Sequence, residues 1–444
     1  SPEEAKKVPK HLVLPIASRY VRTNKAENGE PLKASSRLVI PGHLQDGAPQ
    51  EDGGERTDAP TAPQLGLHLA MTLASCYGWT LRTFDVSSAF LRGDSMETEV
   101  YFRPPREGLP GVPEGSLIKA EKGIFGLRVA PRLWYTKAKK ILEKHGFRQL
   151  DSLPGVFVLR VNNVLQGIML LHVDDGLHMG DGAAYQKAME NILKEFDIKE
   201  DKMKHTAFTF LGRNVSQQPD KSIHVSMPNY LDDVKPIFIP KTHRSTPDQA
   251  VTGPEKTELM SLVGQLAWVA RETLPQIAYE VSDLQQRFNQ GTVAELVKAN
   301  HVLRKAKALT GVNKLRFVPI NLKDVQFISV TDAAFANQPR GASQMGSAVL
   351  ISTTKILEGS DTANLLEWGS RKIHRVVKST LAAEAAAMSY GFDRALFARE
   401  VYTELVHGRD RRLRDVAPAV PLALQLTAES GLMEELVIPI GMAT

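Results

Sequence analysis

The chain has 444 residues, 55 Lys+Arg against 50 Asp+Glu, and 42% hydrophobic residues. That mix excludes a wholly disordered or fibrous polymer and predicts two or three folded units of roughly 150 residues each. The single cysteine, Cys76, excludes internal disulfides and Cys/His zinc clusters. Apolar runs such as 168–171 are far shorter than the about 20 residues a membrane-crossing helix needs, and no charged-then-apolar leader opens the chain, so a soluble intracellular protein without a membrane partner is expected.

The first 65 residues are polar and broken by Pro41-Gly42, Gly53-Gly54, Pro60 and Pro63, and the start at Ser1 predicts a piece of a longer protein. Helical spacing of Leu65, Leu67, Leu69, Ala70, Leu73 and Ala74 predicts a helix over 64–77, stopped by Gly78. Residues 79–86 carry β-formers and predict a strand ending at Asp85. Residues 101–150 hold eleven bases and four acids, a net +7 that exceeds the +5 of the whole chain. Within them, Leu133, Trp134, Ala138, Ile141 and Leu142 form the apolar stripe of a basic helix over 131–145.

Two strands, 156–161 and 164–173, are joined by Asn162-Asn163, and the second runs into Asp174-Asp175-Gly176, which puts a carboxylate pair on a hairpin tip. After a Pro-rich connector at 236–254, helices are expected over 258–271, 275–288 and 293–309. Strands at 325–332, 346–352 and 365–370 and a long Ala-rich helix from Thr380 make a further α/β unit. The division expected is 1–240, 241–320 and 321–444.

Strand-end aspartates are hard oxygen ligands, so Asp174 and Asp175 considered with Asp85 suit Mg²⁺ and phosphoryl transfer. Taken alone, Asp-Asp-Gly after an apolar strand is an ordinary turn. Phe90, five residues after Asp85, is by composition a core residue, and by position an aromatic able to line a nucleotide pocket.

These residues resemble the reverse transcriptase region of copia-type long-terminal-repeat retrotransposons. The resemblance runs through Ser36-Arg37-Leu38-Val39, Asp58-Ala59-Pro60-Thr61, Gly78-Trp79, Phe84-Asp85-Val86-Ser87-Ser88-Ala89-Phe90-Leu91-Arg92-Gly93-Asp94 and Val100-Tyr101-Phe102. It continues through Gly123-Ile124-Phe125-Gly126-Leu127, Ala130-Pro131-Arg132-Leu133-Trp134-Tyr135, His172-Val173-Asp174-Asp175 and Leu262-Val263-Gly264-Gln265-Leu266.

The resemblance implies an α+β and α/β multidomain chain: a right-hand polymerase with fingers and palm over 1–240, a helical thumb or connection over 241–320, and an incomplete ribonuclease H-like domain over 321–444. It implies an RNA-directed DNA polymerase, a nucleotidyltransferase acting on an RNA/DNA template-primer and deoxynucleoside triphosphates, in the cytoplasm within virus-like particles or in the nucleus. Asp85, Asp174 and Asp175 would hold two Mg²⁺ ions, with Mn²⁺ a substitute. Arg37 would contact the triphosphate, and Phe90 would lie under the sugar and reject a 2′-hydroxyl. Arg132, Lys137, Lys140 and Lys144, with the Lys298, Arg304, Lys305 and Lys307 helix, would meet phosphates.

Two positions depart from the family pattern: Val129 stands where the family has Gln, and His172 where it has Tyr. In the last unit, Asp332 closes a strand and Glu384 sits early in the long helix, both as metal ligands by resemblance. Ala428 stands where a third carboxylate belongs, followed by Glu429, and the end at Thr444 removes the last acidic helix, so robust ribonuclease activity is not expected. The alternatives are a catalytically impaired relic that only binds nucleic acid and, further off, an unrelated metal-dependent nuclease.

Overall fold

The computed structural model describes residues 1–24, 31–45, 56–198, 203–359, 361–408 and 424–427. A ribbon of β1 (Arg19–Asn24) and β2 (Ala34–Val39) opens it, pairing Val21 with Arg37. The expected helix is α1 (Gln64–Tyr77), with Leu69, Ala70, Met71, Leu73 and Ala74 fully buried. Gly78 ends it at φ 68°, and the Trp79 amide turns back to the Ala74 carbonyl at 2.9 Å. That cap uses up the start of the strand expected over 79–86, so β3 is only Arg82–Asp85.

A six-stranded antiparallel sheet in the order β8-β3-β7-β6-β5-β4 is made by β3, β4 (Phe147–Gln149), β5 (Val156–Val161), β6 (Val164–His172), β7 (Asp175–Gly180) and β8 (Met203–His205). Asn162 and Asn163 both have positive φ, 49° and 63°, as the tight β5–β6 hairpin requires. Two amphipathic helices, α2 (Ala130–Lys144) and α3 (Ala183–Glu195), cover one face and bury Trp134, Tyr135, Leu142, Tyr185 and Ile192 with Phe84, Phe157 and Met169.

A second sheet orders β9 (Ala207–Phe210), β10 (Arg213–Gln217), β11 (Ile223–Ser226) and β12 (Leu315–Phe317). Three long helices stand between its last two strands, after a one-turn helix at Lys241–Arg244: α4 (Gly253–Glu272), α5 (Ala278–Arg287), which follows a 3-10 turn at Pro275–Ile277, and α6 (Val293–Thr310). They share their own core of Leu262, Leu266, Ile277, Leu284, Leu296 and Leu303. The chain then returns to pair β12 with β11, so the Pro-rich connector does not separate two independent sheets.

The last unit packs α7 (Thr380–His407) on a sheet ordered β15-β14-β13-β16, from β13 (Val325–Gln338), β14 (Ala342–Thr353), β15 (Asn364–Lys372) and β16 (Leu424–Thr427), with β16 parallel to β13. Its core is continuous with one face of the six-stranded sheet: Leu69, Leu73, Ile168, Leu170, Phe317, Phe327, Leu366 and Tyr402 belong to one cluster. No helix among the described residues is long and apolar enough to cross a membrane.

Candidate active site

Antiparallel register sets Asp85, the last residue of β3, directly opposite Asp175, the first residue of β7. The carboxylate pair does not share a hairpin tip: Val173 and Asp174 make the turn, while Asp175 is already in the ladder opposite His172. The turn is strained, because Val173 is β-branched and sits at φ 56°. Two groups from outside the hairpin grip it. The Val86 amide donates to the Asp174 carbonyl at 2.9 Å, and the Trp134 indole Nε1 donates to the Val173 carbonyl at 2.5 Å.

Electrostatics tie the three acids together. Burial first, then the charges of Asp174 and Asp85, push the Asp175 carboxyl up to about 6. Burial also raises Asp174, and Asp85 adds to it, while Arg37 and His172 pull it back. Burial lowers the His172 imidazole despite the nearby Asp174 charge, and its Nδ1 is buried without a hydrogen-bond partner among the described residues. The described residues contain no cluster of three or more His, Cys, Asp or Glu side chains closed tightly enough to cage an ion. Half-buried carboxylate oxygens, with Asp85 raising the proton affinity of both Asp174 and Asp175, are a donor set that a hard divalent cation fits.

Arg37 reaches toward this corner from β2. Its guanidinium lies 5.2 Å from the Phe125 ring centre, and Phe125 lies 5.1 Å from Phe90. Phe90 follows Ser88, which has φ 55°, in a short 3-10 turn at Ala89–Arg92. The Phe125 loop is clamped to the end of the ribbon: the Ile40 amide donates to the Phe125 carbonyl at 2.9 Å, and a Cβ on Gly126 would meet the Ile40 oxygen at 1.9 Å. Sequence reasoning did not single out Phe125 as a site residue, although it lies within the Gly123-to-Leu127 motif. It also left the Trp134 N–H unassigned.

The basic positions divide. Arg132 faces the Asp58 carboxylate at 3.4 Å, Lys140 pairs with Asp94 at 2.9 Å, and Lys144 pairs with Glu195 at 2.5 Å. Lys137, half-buried, has no ion-pair partner among the described residues. In the three-helix segment Lys298 pairs with Asp283 at 2.5 Å, Lys305 with Glu280 at 2.5 Å, and Lys307 bonds the Asp232 carbonyl at 3.3 Å, so these bases brace the helices. Val129 is buried at the start of α2 and offers the helix no side-chain cap.

In the last unit Asp332 does not close its strand: β13 continues to Gln338 and Asp332 is exposed. Glu384, in the first turns of α7, accepts from the Ala333 amide at 3.3 Å, so helix and strand do converge. β16 pairs Thr427 with Thr331; Ala428 and Glu429 lie outside the described residues.

Residues 5–239 match the family described as reverse transcriptase (RNA-dependent DNA polymerase), and the chain belongs to that family. It is 28% identical over 311 residues to the retrovirus-related Pol polyprotein from transposon RE1 of Arabidopsis thaliana, covering 67% of this chain and 20% of that protein. With the Pol polyprotein from transposon TNT 1-94 of Nicotiana tabacum it shares 26% identity over 319 residues, 67% of this chain and 23% of the relative. The chain thus spans about a fifth of the length of these curated relatives. A solved foamy viral protease-reverse transcriptase in complex with an RNA/DNA hybrid aligns with 93% of this chain and 50% of its own at 11% identity, with a TM-score of 0.49.

Proposed function

We propose that this chain is the RNA-directed DNA polymerase segment of a copia-type retrotransposon polyprotein, joining deoxynucleotides to a primer paired with an RNA template. The observation that carries the reading is the placement of Asp85 across from Asp175, with Asp174 on the adjoining turn. Asp85, Asp174 and Asp175 are the residues that would hold two divalent ions. Bound Mg²⁺ or Mn²⁺ supplies charge that acidifies the primer hydroxyl and stabilises the leaving pyrophosphate.

The chain's own groups do the rest. Arg37 offers a planar, permanently charged fork to the triphosphate, oriented by the Phe125 face. Phe90, braced by Phe125, lies under the sugar and excludes a 2′-hydroxyl. Lys137, and the paired bases when they yield, meet backbone phosphates.

Primer extension on an RNA template by the intact chain and by Asp174→Asn tests the assignment, because the amide keeps the shape and loses the charge. Extension by the parent and none by the variant is expected; equal extension by both rejects the site. Salt-dependent binding of primer-template without nucleotide addition selects the impaired-relic reading, which Val129 and His172 favour.

For residues 321–444 we propose a ribonuclease H-like unit that is degenerate as a nuclease. Its helix-on-sheet architecture supports the likeness, and Ala428 in the sequence, where the resemblance places a third carboxylate, supports the loss. Metal-dependent cleavage of RNA in an RNA–DNA hybrid, abolished by Glu384→Gln, would overturn it.

A further inference from the structure

We propose that Trp134 is a positioning residue for the carboxylate turn: its indole N–H holds the Val173 carbonyl and so keeps Val173 in a left-handed conformation that valine disfavours. This rests on the reading that Asp174 and Asp175 hold divalent ions.

Trp134 is only 1% exposed, so its N–H has no water to turn to and the carbonyl 2.5 Å away satisfies it. The ring cannot easily reorient. It packs 5.6 Å from Phe196, Phe196 lies 5.8 Å from Phe84, and Phe84 fills the space over Gly176. At the other end of the contact, Val173 occupies φ 56°, where its branched Cβ crowds the backbone.

Relaxation of Val173 toward the extended region would rotate Asp174 away from Asp85, and the Val86 amide alone, on the other carbonyl of the turn, would have to resist it. The Trp134 bond supplies the second restraint. It also fixes α2, which carries Lys137 one turn further on, in register with the carboxylates.

Trp134→Phe keeps an aromatic ring and deletes only the donor. Mn²⁺ binding to the intact chain, followed by electron paramagnetic resonance, reads the site without turnover. The variant is expected to bind Mn²⁺ about tenfold more weakly, the size of effect that residues behind metal ligands usually have. Val173→Gly adopts the same φ without crowding, so adding it to Trp134→Phe is expected to restore affinity to within about threefold of the parent.

Parental affinity in Trp134→Phe overturns the proposal, and so does a loss that Val173→Gly fails to repair, which would mark the indole as packing alone. If Trp134→Phe alone does not fold, the comparison moves to the Val173→Gly background, where a tenfold loss on removing the N–H contradicts it. Undiminished Mn²⁺ binding by Asp174→Asn is a separate result and rejects the metal site itself.

Discussion

Gly176 leaves its side-chain position to Phe84: a Cβ there would stand 2.2 Å from the Phe84 Cζ. The two residues are cross-strand partners in β7 and β3, and each is the chain neighbour of an acid, Asp175 and Asp85. The ring therefore packs over the Gly176 backbone, one residue along from the facing acids. Phe84 is 1% exposed and packs against Phe196 and His178, so it has little space to withdraw into.

Gly176→Ala should overpack this contact and lower stability by about 1–3 kcal/mol. Adding Phe84→Leu should return part of the loss by making room. Urea unfolding followed by fluorescence checks both; an unchanged midpoint for Gly176→Ala would show that the ring moves aside freely.

Local chemistry made much of this fold readable. Asn162-Asn163, Gly78 and the stripe of α2 each act within a few residues, and each lies where its pattern puts it. The pairing of β12 with β11 joins strands about ninety residues apart in sequence, and the buried Arg213 and Glu272 meet across 59 residues, so neither leaves a local signature. The β1–β2 ribbon was hidden because its strands are largely exposed and lack an apolar alternation. The acids of the site were legible by type and order, but the strained valine and the indole that grips it became visible only in three dimensions.

Asp175 predicts how stability depends on pH in the metal-free chain. Its folded carboxyl titrates at about 6 against 3.8 for an ordinary aspartate, so the folded state holds this proton more tightly than the unfolded state. The contribution is complete below the ordinary value and is lost as pH rises through the folded one. In chelator, Asp175→Asn should therefore melt above the parent at about pH 7, with the gap closing toward about pH 4. A gap that does not depend on pH would show that the carboxyl is solvated.

Arg213 and Glu272 form an ion pair between β10 and α4 with both side chains at least 94% buried. Burial pushes the guanidinium down to about 10, so it remains charged at neutral pH. Glu272→Gln should cost about 3–5 kcal/mol, because it leaves that charge buried without its counterion. Replacing both with Met should cost far less, since the desolvation penalty goes with the charges. A thermal-melt double-mutant cycle decides it, and equal losses in the single and double variants would assign the cost to packing.

Lys137, Lys140 and Lys144 share a helix but should not contribute equally to nucleic-acid affinity. Each phosphate contact adds about 0.9 to the slope of log affinity against log salt on duplex DNA. Lys140 and Lys144 already face Asp94 and Glu195, so an arriving phosphate competes with a carboxylate at each of them, whereas at Lys137 it displaces only small ions. Lys137→Ala should lower the slope by about one, and Lys140→Ala by clearly less. Anisotropy of a labelled primer-template over a salt series measures this. Because exposed ion pairs are worth no more than about 1 kcal/mol, the opposite result has a definite meaning: equal slopes for Lys137→Ala and Lys140→Ala would show that the Asp94 pair opens on binding, and Asp94→Asn should then tighten binding without changing the Lys140 contribution.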